Sequence, residues 1–257
     1  MEKDLKQLVE ESKSEKELCT ILNISKVTLH KRLRALNLSL KHTHFNDHIF
    51  DCINSSEKAY WLGFLYADGH IKQDKNALSI TVCEKDITHL EKFRVFIQAK
   101  RFCTIRKHIT KLKGKEYISY RLGCGSKHLK ETLIKLGCVP QKSLVLTFPN
   151  LNIFTNQNFV YDFIRGYVDG DGCLYFTTTG NLNLEIIGTP EFLTGIKQIF
   201  PNKFSELLGD KRWTERTKRI VSCGNNSKIV LDALYKDATV YLDRKYKKYT
   251  TAVQLRD

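Results

Sequence analysis

Two stretches of the sequence decide the fold: Trp61-Leu-Gly-Phe-Leu-Tyr-Ala-Asp-Gly69 and Ile164-Arg-Gly-Tyr-Val-Asp-Gly-Asp-Gly172. Each is an apolar run that ends in Asp-Gly, and each predicts a helix. Small residues lie four positions apart on one face of each helix, Gly63 and Ala67 in the first and Gly166 and Gly170 in the second. Such a face lets two backbones approach closely, so we predict that the two helices pack against each other there.

Each helix ends in a carboxylate, Asp68 in the first copy and Asp171 in the second. The glycine that follows each aspartate is typical of a left-handed residue just beyond a helix end. A negative charge at the carboxyl end of a helix is unfavourable, because the helix dipole is also negative there. The pattern therefore predicts a compensating charge, for which a divalent cation is the obvious candidate.

The composition indicates a globular protein with a polyanionic partner. A chain of 257 residues with 42% hydrophobic residues can form one large or two to three small domains. Its net charge of +14 attracts polyanions, of which nucleic acid is the commonest. No apolar run approaches the roughly 18 residues of a membrane span, and no amphipathic basic segment favours a membrane surface. With no signal or transit pattern, we expect a cytoplasmic or nucleoid-associated protein, or an organellar one if an organelle genome encodes it.

Eight cysteines are scattered along the chain without a C-x-x-C pair or a Cys/His spacing typical of metal ligands. We interpret them as buried or half-buried free thiols in a reducing compartment.

Residues 1–44 predict three short helices. Ser14-Glu-Lys-Glu17 has the pattern of a helix start, and Asn23-Ile24-Ser25 is a short turn before a basic helix. This order resembles a helix-turn-helix, whose second helix enters the major groove of DNA. The candidate contacts to DNA are Lys26, Thr28, His30, Lys31 and Arg34. The alternative is a small helical cap with a solvated basic face. In either case we expect Lys41 to Asp47 to form a linker.

The remaining chain contains an internal repeat, which predicts domains at 45–150 and 151–257. After each motif the same order of strand and helix returns: we match the strand Asn183–Ile187 with Leu78–Val82 and the helix Pro190–Phe200 with Asp86–Ile97. The motif aspartates are 103 residues apart, about one small domain. Two similar halves imply a pseudo-twofold protein with the motif helices at its axis.

The paired motifs, their spacing and the repeated order resemble a two-repeat LAGLIDADG homing endonuclease over roughly residues 47–257. The resemblance implies an α+β fold of two αββαββα repeats, in which the motif helices cross at the centre and each half forms a β-sheet saddle along the DNA major groove. It also implies a monomeric, site-specific endonuclease that hydrolyses phosphodiesters on both strands of double-stranded DNA. Short 3′ overhangs and a long, partly asymmetric target would follow.

The resemblance places the catalytic centre at Asp68 and Asp171, which would bind two or three Mg²⁺ ions, with Mn²⁺ as a substitute. Phosphodiester hydrolysis needs an activated water, a Lewis acid and stabilisation of the leaving oxygen, and closely spaced divalent ions supply all three. A lysine of each half lies beside the metals in this family. The matching positions are Lys142 in Val139-Pro-Gln-Lys-Ser143 and Lys245 in Asp243-Arg-Lys-Tyr246. Their role would be to orient the nucleophilic water or to stabilise the phosphorane charge.

Three further polar residues lie near these positions. Asp169 has Tyr66 as its counterpart in the first motif, so we predict a supporting role for it instead of a symmetric ligand. Glu84 and Thr189 fall where the family has polar residues near the pocket, which is a weaker match.

The strands and hairpins carry many basic residues, which are candidates for DNA binding. Alternation along the strands favours Arg106, His108, Arg121 and Arg219 for base contacts, and Lys72 and Arg212 lie in or near the hairpins. Phosphate contacts set affinity, whereas contacts to base edges set sequence preference. A solvated basic surface is the alternative for part of this set.

Three other functions compete with the endonuclease. The first is a transcriptional regulator with a helix-turn-helix and an endonuclease-derived domain that no longer cuts, although such a domain has no reason to keep both motif aspartates. The second is an RNA maturase for a host intron, which would use the same basic surface. The third, a module without a nucleic-acid partner, conflicts with the charge and the repeat.

Overall fold

The computed structural model describes residues 2–10, 15–36, 38, 45–99, 103–112, 114–209 and 215–255. Within these limits the chain divides into two units, residues 1–45 and 46–257. The three-domain division remains a prediction. The expected linker from Lys41 to Asp47 lies partly outside the described residues, since residues 41–44 are not among them.

The amino-terminal unit contains the three helices α1 (Glu2–Glu10), α2 (Glu15–Ile21) and α3 (Lys26–Ala35). Its core is aliphatic and draws on all three helices: Leu5, Val9, Leu18, Leu29 and Leu33. The turn between α2 and α3 includes Asn23 with φ +49°, a conformation that asparagine tolerates well. Ser25 then starts α3, because its side chain accepts a hydrogen bond from the Thr28 backbone N–H at 3.2 Å.

The first half of the second unit begins with the motif helix and continues into a four-stranded sheet. Its elements are α4 (Ser56–Asp68), β1 (Gly69–Ile71), β2 (Leu78–Cys83), α5 (Ile87–Phe96), β3 (Ile105–Leu112), β4 (Lys115–Cys124) and α6 (Lys127–Lys135). The strands are antiparallel in the order β1-β2-β4-β3. Alternate residues of β2, such as Ile80 and Val82, are buried beneath the helices, which leaves the other face of the sheet polar.

The second half repeats this order with a shorter sheet. Its elements are α7 (Phe159–Asp171), β5 (Gly172–Phe176), β6 (Leu182–Gly188), α8 (Pro190–Ile199), β7 (Lys218–Ser222), α9 (Gly224–Tyr235) and α10 (Asp243–Gln254). Among the described residues the sheet has three antiparallel strands, β5-β6-β7, and Leu208 forms an isolated bridge with Arg219 at its edge. The sequence analysis did not predict α10. The two antiparallel sheets and the accompanying helices confirm the α+β class.

Helices α4 and α7 pack against each other through their glycines. A Cβ atom at Gly63 would overlap the carbonyl oxygen of Phe163, and one at Gly166 would overlap the carbonyl oxygen of Tyr60. The two contacts are related by the repeat, because Phe163 follows Tyr60 by the same 103 positions that separate the glycines. Backbone-to-backbone contact of this kind is open only to glycine, so the spacing in the sequence translates directly into the approach of the helices.

The glycines that follow the motif aspartates are not left-handed, and this part of the sequence interpretation is wrong. Gly69 has φ −69° and Gly172 has φ −87°, and each begins a β-strand in extended conformation. The reason for glycine is space. A Cβ at Gly69 would overlap the Leu65 carbonyl oxygen, and a Cβ at Gly172 would lie 2.5 Å from the Val168 carbonyl oxygen.

The strand correspondence between the halves is also wrong by one residue. Gly69 pairs with Ile80, and its counterpart Gly172 pairs with Ile186. Ile186 is therefore the counterpart of Ile80, whereas the predicted alignment matched Glu185 with Ile80. A shift of one residue exchanges the two faces of a strand, so Glu185 lies on the polar face and not in the core.

The eight cysteines are free thiols, and four of them are exposed, contrary to the expected burial: Cys52, Cys83, Cys173 and Cys223. Among the described residues, no helix is both long enough and apolar enough to cross a membrane.

Candidate functional site

The two motif aspartates end the packed helices α4 and α7 and lie on the same side of the helix interface. A Cβ atom at Gly170 of α7 would be 3.4 Å from a carboxylate oxygen of Asp68 on α4. Asp68 is half-buried, whereas Asp171 is exposed. Loss of hydration raises the pKa of both carboxyls, that of Asp68 to about 6, and the negative charge of Asp171 raises the pKa of Asp68 further.

Each half contributes one lysine to the end of its own motif helix. The Nζ of Lys142, in a short 3₁₀ turn, donates to the carbonyl oxygen of Gly69. The Nζ of Lys245, in α10, donates to the carbonyl oxygens of Gly172 at 2.5 Å, Val168 at 2.5 Å and Asp169 at 2.8 Å. Lys245 follows Lys142 by 103 positions, as Gly172 follows Gly69. The lysines therefore occupy equivalent places in the two halves.

The surroundings of the two lysines differ. Lys245 is only 2% exposed, and burial lowers its pKa to about 8 against the opposing effect of nearby carboxylates. Its three carbonyl acceptors match the three N–H donors of an ammonium group. Lys142 is half-buried and has a single carbonyl partner of this kind. The second half thus holds its helix end more firmly than the first.

Charges at this site act across the pseudo-twofold axis. Burial raises the pKa of both aspartates. The largest opposing effect on Asp171 comes from Lys142, and the largest opposing effect on Asp68 comes from Lys245. Each lysine therefore binds the helix end of its own half, and both lysines stabilise the charges of both aspartates. The charge of each lysine thus acts on both halves.

An open cavity of about 260 Å³ lies beside Asp171. Its lining includes residues from both halves, among them Lys142, Tyr167, Thr189 and Thr217. The cavity brings a carboxylate, an ammonium group and hydroxyl groups to one place. This combination can bind and orient a phosphate group and its charge-balancing cation.

Asp169 is fully enclosed in hydrogen bonds. Its Oδ2 accepts from the Tyr60 hydroxyl and from the Leu242 backbone N–H, both at 2.7 Å, and its Oδ1 accepts from the Tyr235 hydroxyl at 2.6 Å. Sequence reasoning did not find these partners, since Tyr60 lies in an apolar run and Tyr235 and Leu242 are distant in the chain. Asp169 joins α4, α9 and the approach to α10, which agrees with a supporting role.

The weaker matches occupy structural places. Thr189 begins α8: its Oγ1 accepts from the Phe192 N–H at 3.2 Å and donates to the Leu146 carbonyl oxygen. Glu84 is exposed at the start of a 3₁₀ turn. Tyr66, the counterpart of Asp169, donates its hydroxyl to the Leu136 carbonyl oxygen.

The polar face of the first sheet contains three of the residues predicted to contact bases. Arg106 lies directly opposite Arg121 on the neighbouring strand, and His108 is two residues further along the same face as Arg106. Arg121 also donates to the Ser79 hydroxyl at 2.6 Å. Like charges directly opposite each other are destabilising, and a bound polyanion would relieve that repulsion.

The second sheet carries the equivalent of Arg121. Arg219 faces Ile187, which takes the place of Thr81 in the corrected alignment, just as Arg121 faces Thr81. Arg219 Nη1 lies 3.0 Å from Glu185 Oε2, so its charge is partly compensated. The two sheets thus present related arginines in different electrostatic settings.

Two further candidates lie in or near hairpins. Lys72 is half-buried and closes the β1–β2 hairpin, because its backbone N–H donates to the Ala77 carbonyl oxygen at 2.9 Å. Arg212 lies outside the described residues.

In the amino-terminal unit, the five candidate contacts divide into two groups. Lys26 and His30 face α2, where their nitrogens lie 2.8 Å and 3.3 Å from the carboxylate of Glu15. Thr28, Lys31 and Arg34 are exposed. Val27 has the apolar side chain of a core residue, yet it is 79% exposed, because Leu29 and Leu33 define the buried stripe of α3 and Val27 lies on the opposite side.

The groups at the motif helix ends suit a divalent cation. Both candidate ligands are carboxylates, whose hard oxygen atoms are preferred by Mg²⁺ and similar ions. Loss of hydration raises the pKa of both carboxyls, and the negative charge of Asp171 adds to the effect at Asp68. A divalent cation between or beside them would remove that penalty.

Comparison with known proteins identifies the fold. No family model matches the sequence, and no curated protein does either. The structure is similar to that of the homing endonuclease I-WcaI bound to its DNA recognition sequence, with a TM-score of 0.56, 13% identity, and coverage of 76% of this chain and 87% of that one. The LAGLIDADG homing endonuclease I-GzeII in complex with its DNA target gives a TM-score of 0.48 at 12% identity, covering 77% of this chain and 89% of that one. The similarity to I-WcaI shows that the chain has the fold of that endonuclease.

Proposed function

We propose that this chain, which has the LAGLIDADG homing endonuclease fold, is a DNA endonuclease that hydrolyses phosphodiesters at Asp68 and Asp171. One observation carries the proposal: two carboxylates end tightly packed helices, and a lysine of each half binds the end of its own motif helix beside them. A protein that only bound DNA would gain nothing from placing two carboxylates with raised pKa values at one axis. The solved relatives that bind DNA support the choice of substrate.

Asp68 and Asp171 would hold the divalent ions, and Mg²⁺ is our choice because both ligands are carboxylates. Two or three ions are proposed, with Mn²⁺ able to replace Mg²⁺. Such ions supply Lewis-acid catalysis and lower the pKa of water. The protein contributes the position of the two carboxylates, through the close contacts of Gly63 with Phe163 and of Gly166 with Tyr60 at the helix interface.

The two lysines differ in their proposed roles. Lys245 uses its three donors on backbone carbonyls, so we propose that it positions the end of α7 and, through its charge, lowers the pKa of Asp68. Lys142 lines the open cavity together with Asp171, where its ammonium group can reach a bound phosphate. Lys142 is therefore our candidate for stabilising the charge of the reacting phosphate.

The polar faces of the two sheets are the proposed DNA-binding surfaces. Arg106, His108 and Arg121 would contact one half of the target, and Arg219 the other. The halves differ at these places, since Arg121 pairs with a serine and Arg219 with a glutamate. We therefore propose a long target that is only partly palindromic, cut on both strands by a monomer to leave short 3′ overhangs.

The amino-terminal unit would extend the contact with DNA. Lys31, Arg34 and Thr28 are exposed along one side of α3, as in a helix that enters a major groove. Lys26 and His30 would first have to leave Glu15, so we give them a secondary role. Val27 adds an exposed apolar group of the kind that contacts the methyl group of thymine.

The experiment is to incubate the full chain with Mg²⁺ and a library of randomised duplexes and to sequence the cut ends. A consensus among the ends, with a fixed offset between the two strands, is the expected result. If the protein enriches a consensus by binding while no ends appear with Mg²⁺ or Mn²⁺, the chain is a regulator and the endonuclease proposal fails.

A further inference from the structure

Two histidines and an aspartate form a cluster where the first residues of the second unit meet α6. His48 Nδ1 lies 2.8 Å from Asp51 Oδ2, and His128 Nε2 lies 2.6 Å from Asp51 Oδ1. The two imidazole rings are 4.0 Å apart between centroids. Each of the three side chains offers one possible ligand atom, and the distances between these three atoms are at most 4.8 Å.

These groups have the composition of a transition-metal site. Imidazole nitrogen and carboxylate oxygen both bind Zn²⁺ at about 2.0–2.2 Å, and three protein ligands leave a position for water. Tetrahedral coordination at such distances requires ligand atoms about 3.4 Å apart. The present spacing therefore needs only small side-chain movements. The side chains of His48, Asp51 and His128 are 66%, 42% and 41% exposed. They therefore have room for these movements.

The surroundings provide support for the ligands. Asp47 Oδ1 lies 4.0 Å from Nε2 of His48, the nitrogen on the opposite side of the ring from Asp51. A carboxylate behind a ligating histidine is the usual means of fixing the ring and increasing its basicity. Asp47 itself accepts a hydrogen bond from Ser126 at 2.5 Å, and Ser126 begins α6. Asp47 and Asp51 together would balance the charge of a divalent ion.

The cluster is separate from the candidate active site. His48 and Asp51 precede the start of α4 at Ser56, whereas Asp68 lies at the other end of this helix. Thirteen helical residues span about 20 Å. The two sites also differ in ligand chemistry, because Mg²⁺ favours oxygen ligands and imidazole favours Zn²⁺, Co²⁺ and Ni²⁺.

We propose that His48, Asp51 and His128 bind one Zn²⁺ ion, or Co²⁺ or Ni²⁺ in its place, which joins the first residues of the second unit to α6. His48 and His128 are 80 positions apart in the chain. An ion that binds both in the folded protein and neither with comparable affinity in the unfolded chain stabilises the fold. The ion has a structural role and takes no part in hydrolysis.

The test is a Co²⁺ titration of the metal-free full chain, followed by visible absorption. One equivalent of Co²⁺ should produce the d–d bands of a site with nitrogen ligands. The bands should be lost in His128→Ala and strongly weakened in Asp51→Asn. They should persist in His70→Ala, which removes an exposed histidine of β1, and in the Asp68→Asn/Asp171→Asn double variant. Persistence of the bands in the double aspartate variant is expected whether or not the chain cuts DNA, so this proposal can be judged separately from the proposed function.

A second measurement covers the case in which a variant is poorly folded. At a hundredfold excess over its Kd, Zn²⁺ should raise the Tm of the wild-type chain and of the Asp68→Asn/Asp171→Asn variant by about 5–10 °C, and Mg²⁺ at the same concentration should not raise the Tm of the double variant. The proposal is overturned if Co²⁺ gives no stoichiometric bands in the wild-type chain. It is equally overturned if the bands survive in His128→Ala, or if the double aspartate variant abolishes them.

Discussion

The Nζ of Lys245 donates a hydrogen bond at 2.5 Å to the carbonyl oxygen of Gly172, the residue that directly follows Asp171. A buried ammonium group at this place supplies the positive charge that the end of α7 lacks, since the helix dipole and Asp171 are both negative there. Lys142 has the same relation to Gly69 in the first half. The chain itself therefore compensates part of the unfavourable position of the motif carboxylates before any cation binds, and the raised pKa values of both carboxyls show the part that remains.

This relation predicts unequal effects of removing the two lysines. Lys245→Met removes three hydrogen bonds of a buried ammonium group, so we expect the free energy of unfolding to fall by about 3 kcal/mol. Lys142→Met removes one bond at a half-buried place and should cost about 1 kcal/mol. Urea denaturation of both variants measures the difference. Equal losses, or a larger loss for Lys142→Met, would contradict the positioning role of Lys245.

Replacing either motif aspartate should abolish double-strand cleavage. Asp68→Asn and Asp171→Asn remove a proposed metal ligand while they preserve side-chain size, and binding to the selected duplex should survive because the sheets are unchanged. Cleavage of a plasmid that carries the target, with gel-shift binding alongside, measures both properties. Asp237→Asn, at an exposed place after α9, is the matched control and should cut normally. Full cleavage by either motif variant would refute the metal assignment.

The helix interface should not tolerate a methyl group. Gly166→Ala would place its Cβ on the Tyr60 carbonyl oxygen of α4, and separating the backbones should cost at least about 3 kcal/mol. Gly123→Ala is the control, because the nearest atom to its Cβ, the Leu78 carbonyl oxygen, is 3.9 Å away. Its effect should remain within about 0.5 kcal/mol. Thermal unfolding compares the two, and similar Tm values would show that the close approach is not required.

His89 should make the protein sensitive to acid. It is 1% exposed, and burial, aided by Lys92, lowers its pKa from 6.5 to about 3. The unfolded chain therefore binds a proton that the folded protein does not. This contribution to stability is fully present above about pH 6.5 and is lost as the pH falls toward 3, by up to about 1.4 kcal/mol per pH unit.

The variant that isolates this effect is His89→Phe, which removes the titrating group and keeps an aromatic ring. The rings of Trp61 and Phe64 contact His89, and Phe93 contacts Trp61, so the site is already aromatic. Urea denaturation between pH 7 and pH 4 should show a weaker dependence on pH in the variant than in the wild-type chain. Parallel curves would mean that other groups account for the loss.

The amino-terminal unit should contribute to binding through charge. Arg34→Ala removes an exposed guanidinium from α3 and should reduce the slope of log affinity against log salt by about one, as expected for one phosphate contact. Fluorescence anisotropy with a labelled duplex at several salt concentrations gives this slope. Lys6→Ala, an exposed lysine of α1, serves as the comparison. Equal slopes for both variants would argue for general basicity instead of a specific contact by α3.

Much of the fold follows from local patterns. The apolar runs with small residues four apart predict two packed helices, because helical periodicity alone places those residues on one face. The repeated order of strands and helices, and with it the α+β class, can also be predicted, because strands and helices each have their own periodicity of apolar residues. The equal offset of 103 positions between the glycines, the aspartates and the lysines also lies in the sequence.

Other features depend on contacts between distant residues. The strand correspondence is wrong by one residue because hairpin length, and not composition, sets the register of β6 against β5. Lys26 and His30 look like free basic residues of α3, yet both face Glu15 of α2. The partners of Asp169 come from three separate elements. No local pattern carries this information.

The sequence by itself therefore determined that two related halves meet through glycine-rich helices that end in aspartate. Only the tertiary structure decided what surrounds those aspartates: which lysine is buried, which charge acts across the axis, and where an open cavity remains. The physical reason is that helix and strand formation depend on neighbours along the chain, whereas hydration, pKa and hydrogen-bond partners depend on neighbours in space.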